Sequence, residues 1–179
     1  LKKIMKQIWA PWRMNYIKSA DTAPSCIFCD KPGMSRSRDK ESYIFHRGQR
    51  AFVMMNIYPY ANGHLLIAPY LHLPSLEDLP AIVSHDMMDL TRHSLAVLRA
   101  TLAPDGFNVG MNLGHDAGAG VKSHVHLHIV PRWKGDSNFM PILAETIVVP
   151  EHLNTTYNKL LPYFRRKPFM PSPKTRKTS

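Results

Sequence analysis

Long apolar runs and cysteines are scarce in this sequence. No stretch of its 179 residues reaches the length of about 20 apolar residues that a membrane-spanning helix needs, and the N-terminus lacks the apolar segment of a secretory signal. The two cysteines, Cys26 and Cys29, lie too close together for the disulfide framework of a secreted scaffold. We therefore expect a cytoplasmic protein without a membrane segment, whose thiols form a metal or redox pair.

Acidic residues are absent from both ends of the chain. Residues 1–20 carry five Lys or Arg and residues 159–179 carry seven, whereas the stretch between them has 11 such bases against all 13 acids. The formal net charge of +10 therefore resides in the ends. Basic ends are more often solvated than bound to nucleic acid, so a nucleic-acid-binding module is only a remote alternative.

The hydrophobic share of 44% is typical of a globular domain rather than a disordered chain. Apolar spacing from Ser84, an expected N-cap, to Leu102 predicts one main helix, and residues 31–40 predict a mobile loop. One helix among hairpin-like strands favours an α+β fold with an antiparallel sheet. Short apolar runs predict its five strands at residues 42–47, 51–55, 64–68, 106–112 and 124–130.

Three histidines alternate with aliphatic residues in the last of these runs, which reads His-Val-His-Leu-His-Ile-Val over residues 124–130. The period of two places His124, His126 and His128 on one face of a strand and the aliphatic residues on the other. Neighbouring histidines would then lie about 6.6–7 Å apart at Cα, close enough to share a ligand. The alternatives are a row of surface histidines and a non-haem metal site, which would need a carboxylate or further histidine nearby.

This pattern resembles the signature of the histidine triad (HIT) family of nucleotide hydrolases and transferases. Residues 52–72 resemble the family's two central strands with their turn, and residues 112–120 resemble its phosphate loop. The resemblance implies a HIT-like fold over residues 26–150, with an N-terminal extension at 1–25 and a C-terminal extension with a basic tail at 151–179. Residues 9–16, 117–120 and 131–140 also resemble a bacterial and archaeal branch that includes diadenosine tetraphosphate phosphorylases.

The resemblance implies nucleotidyl transfer in two steps. His126 would attack the α-phosphorus and form a nucleotidyl-histidine, with a backbone carbonyl holding one ring N–H so that the other nitrogen faces phosphorus. His128 would bind a non-bridging phosphate oxygen, and His124 would complete the catalytic triad. Orthophosphate as acceptor would make the enzyme a diadenosine tetraphosphate phosphorylase, and water would make it a hydrolase that releases AMP. The expected partners are this nucleotide substrate, orthophosphate and a second copy of the chain in at least a dimer.

The same resemblance assigns the nucleotide-binding residues. Asn56 matches the position that hydrogen-bonds the ribose hydroxyls. Several eukaryotic branches carry Gln or Ser where this chain has Ala119 and Gly120, which leaves room for an anionic acceptor near Lys122. The base pocket is assigned to Phe28, Met54 and Ile57, and phosphate binding to Asn112, Gly118, Gly120, Lys122 and Ser123.

Cys26 and Cys29 have the spacing of a zinc knuckle, and a buried or redox-active cysteine pair is the alternative. In members of the superfamily with this pair, the remaining ligands match His72 and His124. The resemblance therefore implies a structural Zn²⁺ held by these four residues. Among the other histidines, His64 is expected to hold the turn before its strand or the phosphate side of the site, and surface positions are expected for His46, His85, His93, His115 and His152.

Overall fold

Five antiparallel strands form the centre of the protein, whose structure is a computed structural model that describes residues 25–114, 116–136 and 151–166. The strands lie in the order β1-β2-β3-β5-β4, and every neighbouring pair is antiparallel. The predicted α+β class and five-stranded antiparallel sheet are confirmed. Their bounds are β1 (Ile44–Arg47), β2 (Ala51–Met55), β3 (Leu65–Pro69), β4 (Gly106–Met111) and β5 (Leu127–Arg132).

Two helices precede β4 in the chain, α1 (Ile27–Gly33) and α2 (Ala81–Leu102). The main helix predicted from the apolar spacing is α2, but it begins after Pro80, so the predicted N-cap at Ser84 is wrong. Ala81 and Ile82 at its start are exposed, but Val83 is buried in the core, so the apolar face of the helix begins before Ser84. Within the described ranges, no helix is both long and apolar enough to cross a membrane.

A third helix, α3 (Leu153–Phe164), is absent from the predicted elements. Its internal Pro162 lies in the last turn, where proline ordinarily ends a helix, so it accounts for the end of the helix and not for the omission. The buried face of α3 nevertheless joins the main core between the sheet and α2, and the Tyr157 hydroxyl donates to the Ile44 carbonyl at 2.8 Å. This helix lies in the stretch that was expected to be a C-terminal extension.

The opposite face of the sheet carries a smaller apolar cluster, which α1 covers through Phe28. Along β2 and β3 its residues alternate with residues of the main core, as the strand period of two requires. Leu66 in this cluster lies directly opposite His128 in the β3–β5 ladder, so the cluster and the histidines share one face. The members of the cluster are Phe28, Ile44, Phe52, Met54, Leu66 and Ala68.

The histidine segment enters the sheet later than predicted. β5 begins at Leu127, so His124 and His126 precede it, and the backbone N–H of Val125 donates to the Leu73 carbonyl at 2.7 Å, outside the sheet. The predicted alternation still holds, because Val125, Leu127 and Ile129 all lie in the main core.

Residues 31–40, predicted as a mobile loop, hold the end of α1 and a single 3₁₀ turn at Arg36–Arg38. Side-chain hydrogen bonds from Arg47 fix this segment, a long-range contact that its local composition does not show. The predictions for residues 1–24, 137–150 and 167–179, and for His115, lie outside the described residues.

Candidate active site and metal centre

His126 is a buried imidazole whose proton has a defined position. Its Nδ1 lies 2.8 Å from the backbone carbonyl oxygen of His124. A carbonyl only accepts, so Nδ1 carries the hydrogen and the lone pair of the neutral ring is on Nε2. Burial lowers the pKa of His126, and the hydrogen bond to the carbonyl opposes this shift in part. The ring is therefore neutral at physiological pH, with a nucleophilic nitrogen at Nε2.

Phe28 forms an apolar wall beside the triad. Its ring centroid lies 4.6 Å from that of His126 and 5.3 Å from that of His124. Met54 is buried in the same small cluster, so the structure brings together two of the three residues assigned to the base pocket. Ile57, the third, follows the end of β2 and is 39% exposed.

His64 connects the turn before β3 to the last histidine of the triad. Its Nδ1 accepts a hydrogen bond from the Tyr60 backbone N–H at 3.1 Å, so in the neutral ring the hydrogen is on Nε2. That Nε2 lies 3.0 Å from Nδ1 of His128 and donates to it. Burial, followed by the charges of His128 and His126, lowers the pKa of His64 to about 3. His64 therefore remains a neutral donor, and the hydrogen of the neutral His128 ring lies on Nε2.

This contact was missing from the predictions, although one sequence signal points to it. His64 has the same parity as Leu66 and Ala68, which places all three on the histidine face. His64 reaches His128 because β3 pairs with β5. This strand order could not be inferred from the parity of His64.

The turn that carries His64 is held by its own polar groups. Asn56 is buried, its Oδ1 accepts from the Tyr58 backbone N–H at 2.9 Å, and its Nδ2 lies 3.3 Å from His64 Nδ1. Gly63 has a φ of +73°, and a Cβ there would lie 2.5 Å from Leu102. The ribose contact assigned to Asn56 stays a prediction, while its role in the turn is an observed feature.

The loop between β4 and β5 folds back on itself just before the triad. The Asn112 side-chain amide donates to the Gly118 carbonyl at 3.4 Å, and Gly118 has a φ of +82°, in the region that favours glycine. Gly120 and Lys122 are half-buried, and Ser123 is exposed. All five residues assigned to phosphate binding therefore lie in one segment, between the end of β4 and His124.

Two thiols and two imidazoles converge beside His126. Cys26, Cys29, His72 and His124 each offer one ligand atom, and these four atoms lie within 4.8 Å of one another. Cys29 Sγ is 3.2 Å from His72 Nδ1, and the sulfurs of Cys26 and Cys29 are 3.4 Å and 3.6 Å from His124 Nδ1. Among the described residues this is the one such group of three or more potential ligands.

The protonation of this cluster fits a bound cation. His124 Nε2 lies 2.9 Å from the Pro69 carbonyl oxygen and must carry the hydrogen, so the lone pair of Nδ1 faces the sulfurs. Two thiolates and two imidazole nitrogens are a common ligand set for Zn²⁺, and a carbonyl on the outer nitrogen is the usual support for such a histidine. Burial, with a smaller effect of the hydrogen bond and charge of Cys26, raises the pKa of Cys29 to about 11, so a cation would have to displace a proton.

Comparisons with known proteins place the chain in one family. The family model described as HIT domain matches residues 37–135. The AP-4-A phosphorylase of Mycobacterium tuberculosis is 36% identical over 172 residues, which cover 92% of this chain and 87% of that protein. The asymmetrical bis(5'-nucleosyl)-tetraphosphatase of Schizosaccharomyces pombe is 34% identical over 95 residues, about half of each chain.

A solved structure shows the same fold. The Zn-bound histidine triad family protein from Mycobacterium smegmatis aligns with a TM-score of 0.60 and 23% identity, over 78% of this chain and 93% of that one. The chain belongs to the HIT family. The predicted family and the broad class of enzyme, a HIT-family nucleotidyltransferase or hydrolase, are thereby confirmed.

Proposed function

We propose that this enzyme transfers a nucleotidyl group through a covalent intermediate on His126, and that its reaction is the phosphorolysis of diadenosine tetraphosphate to ATP and ADP. The observation that carries the proposal is the tautomer of His126, whose Nδ1–H is held by the His124 carbonyl. This leaves the Nε2 lone pair for attack on phosphorus. The name of the Mycobacterium tuberculosis relative supports the same substrate.

The reaction balances in two displacements at phosphorus. In the first, His126 Nε2 bonds to the α-phosphorus, the bond to the bridging oxygen breaks, and ATP leaves with the electron pair of that bond. In the second, an orthophosphate oxygen bonds to the same phosphorus and the P–N bond breaks. The electron pair of that bond returns to Nε2, and ADP is released. Water in place of orthophosphate would give AMP, so the acceptor alone separates the phosphorylase from the alternative hydrolase.

His64 and His128 stabilise the negative charge that develops on the phosphoryl oxygens. Because His64 donates to His128 Nδ1 at 3.0 Å, the His128 hydrogen is on Nε2, where it can be donated to a phosphate oxygen. Backbone N–H groups near Gly118 and Gly120, with the Asn112 amide and Ser123, suit the remaining oxygens. Lys122 provides a positive charge in the same loop for an anionic acceptor.

The apolar surface for the base and the proposed metal site both adjoin this centre, through Phe28 and His124. Phe28 and Met54 form the apolar surface for the base, and Ile57 would complete it. A structural Zn²⁺ on Cys26, Cys29, His72 and His124 would tie α1 to the segment before β5 and so fix the carbonyl that holds His126. The ion would supply this cross-link and no chemical step. Assembly as a homodimer or larger stays part of the proposal.

The dependence on orthophosphate tests the reaction. Purified enzyme is incubated with diadenosine tetraphosphate with and without orthophosphate, and the nucleotides are separated. We expect ATP and ADP with phosphate and little turnover without it. Phosphate-independent release of AMP would establish the hydrolase instead, and full turnover by His126→Ala would exclude the covalent route. No turnover by the unmodified protein under either condition would leave a binding module as the alternative.

Metal analysis tests the zinc site separately. Freshly purified protein is expected to hold about one equivalent of zinc per chain, and Cys29→Ser is expected to hold far less. His85→Ala, on the exposed face of α2, is the matched control. Well under one equivalent in the unmodified protein would reject the four-ligand site.

A further inference from the structure

The helix α1 is too short to hold its own position. It has seven residues, contains Pro32 and has no side-chain hydrogen bond at its N-cap, Cys26. Isolated helices shorter than about 12–15 residues are marginal in water. Yet α1 carries Phe28 and Cys29, which meet His126 and the metal cluster. Contacts outside the helix must therefore fix its position.

Arg47, at the end of β1, provides such contacts at the other end of α1. Its side chain is 10% exposed, and its guanidinium donates to the carbonyls of Pro32 and Met34, the second at 3.1 Å. These are carbonyls at the C-terminus of α1, which have no partner within a helix and attract a cation. The same guanidinium donates to the Asp39 carboxylate at 3.0 Å from Nε and 2.6 Å from Nη2.

Only arginine can make this set of contacts. The planar fork of five N–H donors reaches two carbonyls and one carboxylate together, whereas a lysine ammonium acts as a point charge. Asp39 follows the 3₁₀ turn, so the fork joins the end of α1 to the far end of the connecting segment. The chain from Met34 to Asp39 is thus closed on β1 by one side chain.

We propose that Arg47, oriented by Asp39, is a positioning residue for α1 that sets where Phe28 lies against His126 and where Cys29 lies in the metal cluster. The polar contacts of Arg47 go to Pro32, Met34 and Asp39 and not to Phe28 or Cys29, so Arg47 acts through the helix. The roles given to Phe28 and Cys29 rest on the proposed function, but the clamp itself does not. A guanidinium that served only overall stability would leave these two sites unchanged in any variant that folds.

Arg50 offers a matched control in the same hairpin. It is 40% exposed and pairs with Asp86 on α2 at 3.2 Å, away from α1. Arg47→Gln and Arg50→Gln therefore remove the same charge from neighbouring positions. Arg47→Lys keeps the charge without the fork, and Asp39→Asn weakens the fork from its other side. If Arg47→Gln fails to fold, these two milder variants test whether Arg47 positions α1.

Three measurements are made below the melting temperature of each variant. These are zinc affinity by chelator competition, the rate of thiol alkylation in the metal-free protein, and KM and kcat for diadenosine tetraphosphate. We expect the Arg47 variants to lose about tenfold or more in zinc affinity, as supporting residues of metal sites do. We also expect faster alkylation and a KM that rises more than kcat falls, while Arg50→Gln matches the unmodified protein.

Folded Arg47→Lys and Asp39→Asn with unchanged zinc affinity, alkylation and KM would overturn the proposal. Failure of the proposed function has a different signature. If the unmodified protein binds no zinc or does not turn over the dinucleotide, the alkylation rates of the metal-free variants still report whether Arg47 holds α1. Equal rates in all variants would then reject the clamp, and faster rates only in the Arg47 and Asp39 variants would establish it.

Discussion

Buried imidazoles lie on both faces of the sheet, but their partners differ. On the site face, one ring nitrogen of His64, His124 and His126 is hydrogen-bonded to a backbone group at 3.1 Å or less. On the core face, His93 of α2 is 6% exposed, and within the described part of the chain neither of its ring nitrogens has a partner. It lies instead against the rings of His46 and Phe164, at centroid distances of 6.2 Å and 5.4 Å.

The difference shows what a hydrogen bond gives to a buried histidine. Leaving a buried polar group unpaired costs about 1–3 kcal/mol, and an unpaired ring has no preferred tautomer. The backbone partners on the site face remove this cost and also decide which nitrogen carries the proton. His93 has neither benefit and packs as an aromatic ring. Burial alone therefore does not indicate that a histidine belongs to the site, whereas a backbone hydrogen bond that fixes the tautomer distinguishes these three histidines from His93.

Removal of His126 is the largest expected effect. We expect His126→Ala to lower kcat/KM for diadenosine tetraphosphate by at least about 10³-fold, because the covalent route disappears with the nucleophile. His93→Phe, an equally buried position on the other face, is expected to keep nearly full turnover. Initial rates on both variants, with melting curves to establish folding, make the comparison. A His126→Ala enzyme with more than a tenth of normal kcat/KM would contradict it.

Loss of His64 should come second. His64→Phe keeps a ring but leaves the Tyr60 N–H without its acceptor and His128 without its donor. We expect kcat to fall by about 10–100-fold and the free energy of unfolding by about 2 kcal/mol. Nitrogen NMR of the imidazoles checks the cause, since His128 should carry its hydrogen on Nε2 in the unmodified protein. A hydrogen on Nδ1 there would refute the proposed pairing.

Replacement of His93 should have the smallest effect, a change in the free energy of unfolding that depends on pH. Burial, and then the charge of His46, lowers the pKa of His93 below its ordinary 6.5, and burial together with Arg36 lowers that of His46. Well above pH 6.5, both rings are neutral in the native chain and in the unfolded chain. Below it the unfolded chain takes up protons that the native chain resists, so the free energy of unfolding falls as pH falls.

His93→Phe should remove this part of the pH dependence. We expect the variant to be more stable than the unmodified protein by about 1 kcal/mol at neutral pH, and the difference to grow as pH falls below 6.5. Urea unfolding at several pH values measures the difference, with His85→Phe on the exposed face of α2 as the control. Parallel pH profiles for His93→Phe and the unmodified protein would show that folding does not lower the pKa of His93.

Strand parity was the part of the fold that could be predicted best. The bounds of β2 match the predicted residues 51–55, and the period of two placed Val125 and Leu127 in the core opposite the histidines. His93 was predicted at the surface, which is wrong. Helical spacing could have predicted that His93 is buried, since it lies between buried Leu90 and Val97 on the same face of α2.

Long-range partners could not be obtained from local patterns. His72 and Cys29 are 43 positions apart, and only the folded sheet brings their ligand atoms to 3.2 Å; the four-ligand set came from the family resemblance. The Arg47 fork likewise depends on tertiary contacts with residues up to 15 positions away. The composition of residues 31–40 indicates a loop. It contains no information about Arg47, the side chain that holds this segment against β1.

The central claim is the covalent intermediate on His126, and the stereochemical course at the α-phosphorus tests it most directly. A dinucleotide made chiral at that phosphorus by one sulfur atom is converted with orthophosphate, and the configuration of the product is determined. Two displacements invert twice, so we predict overall retention of configuration. Inversion would mean that orthophosphate attacks in a single step, and it would contradict the role given to His126.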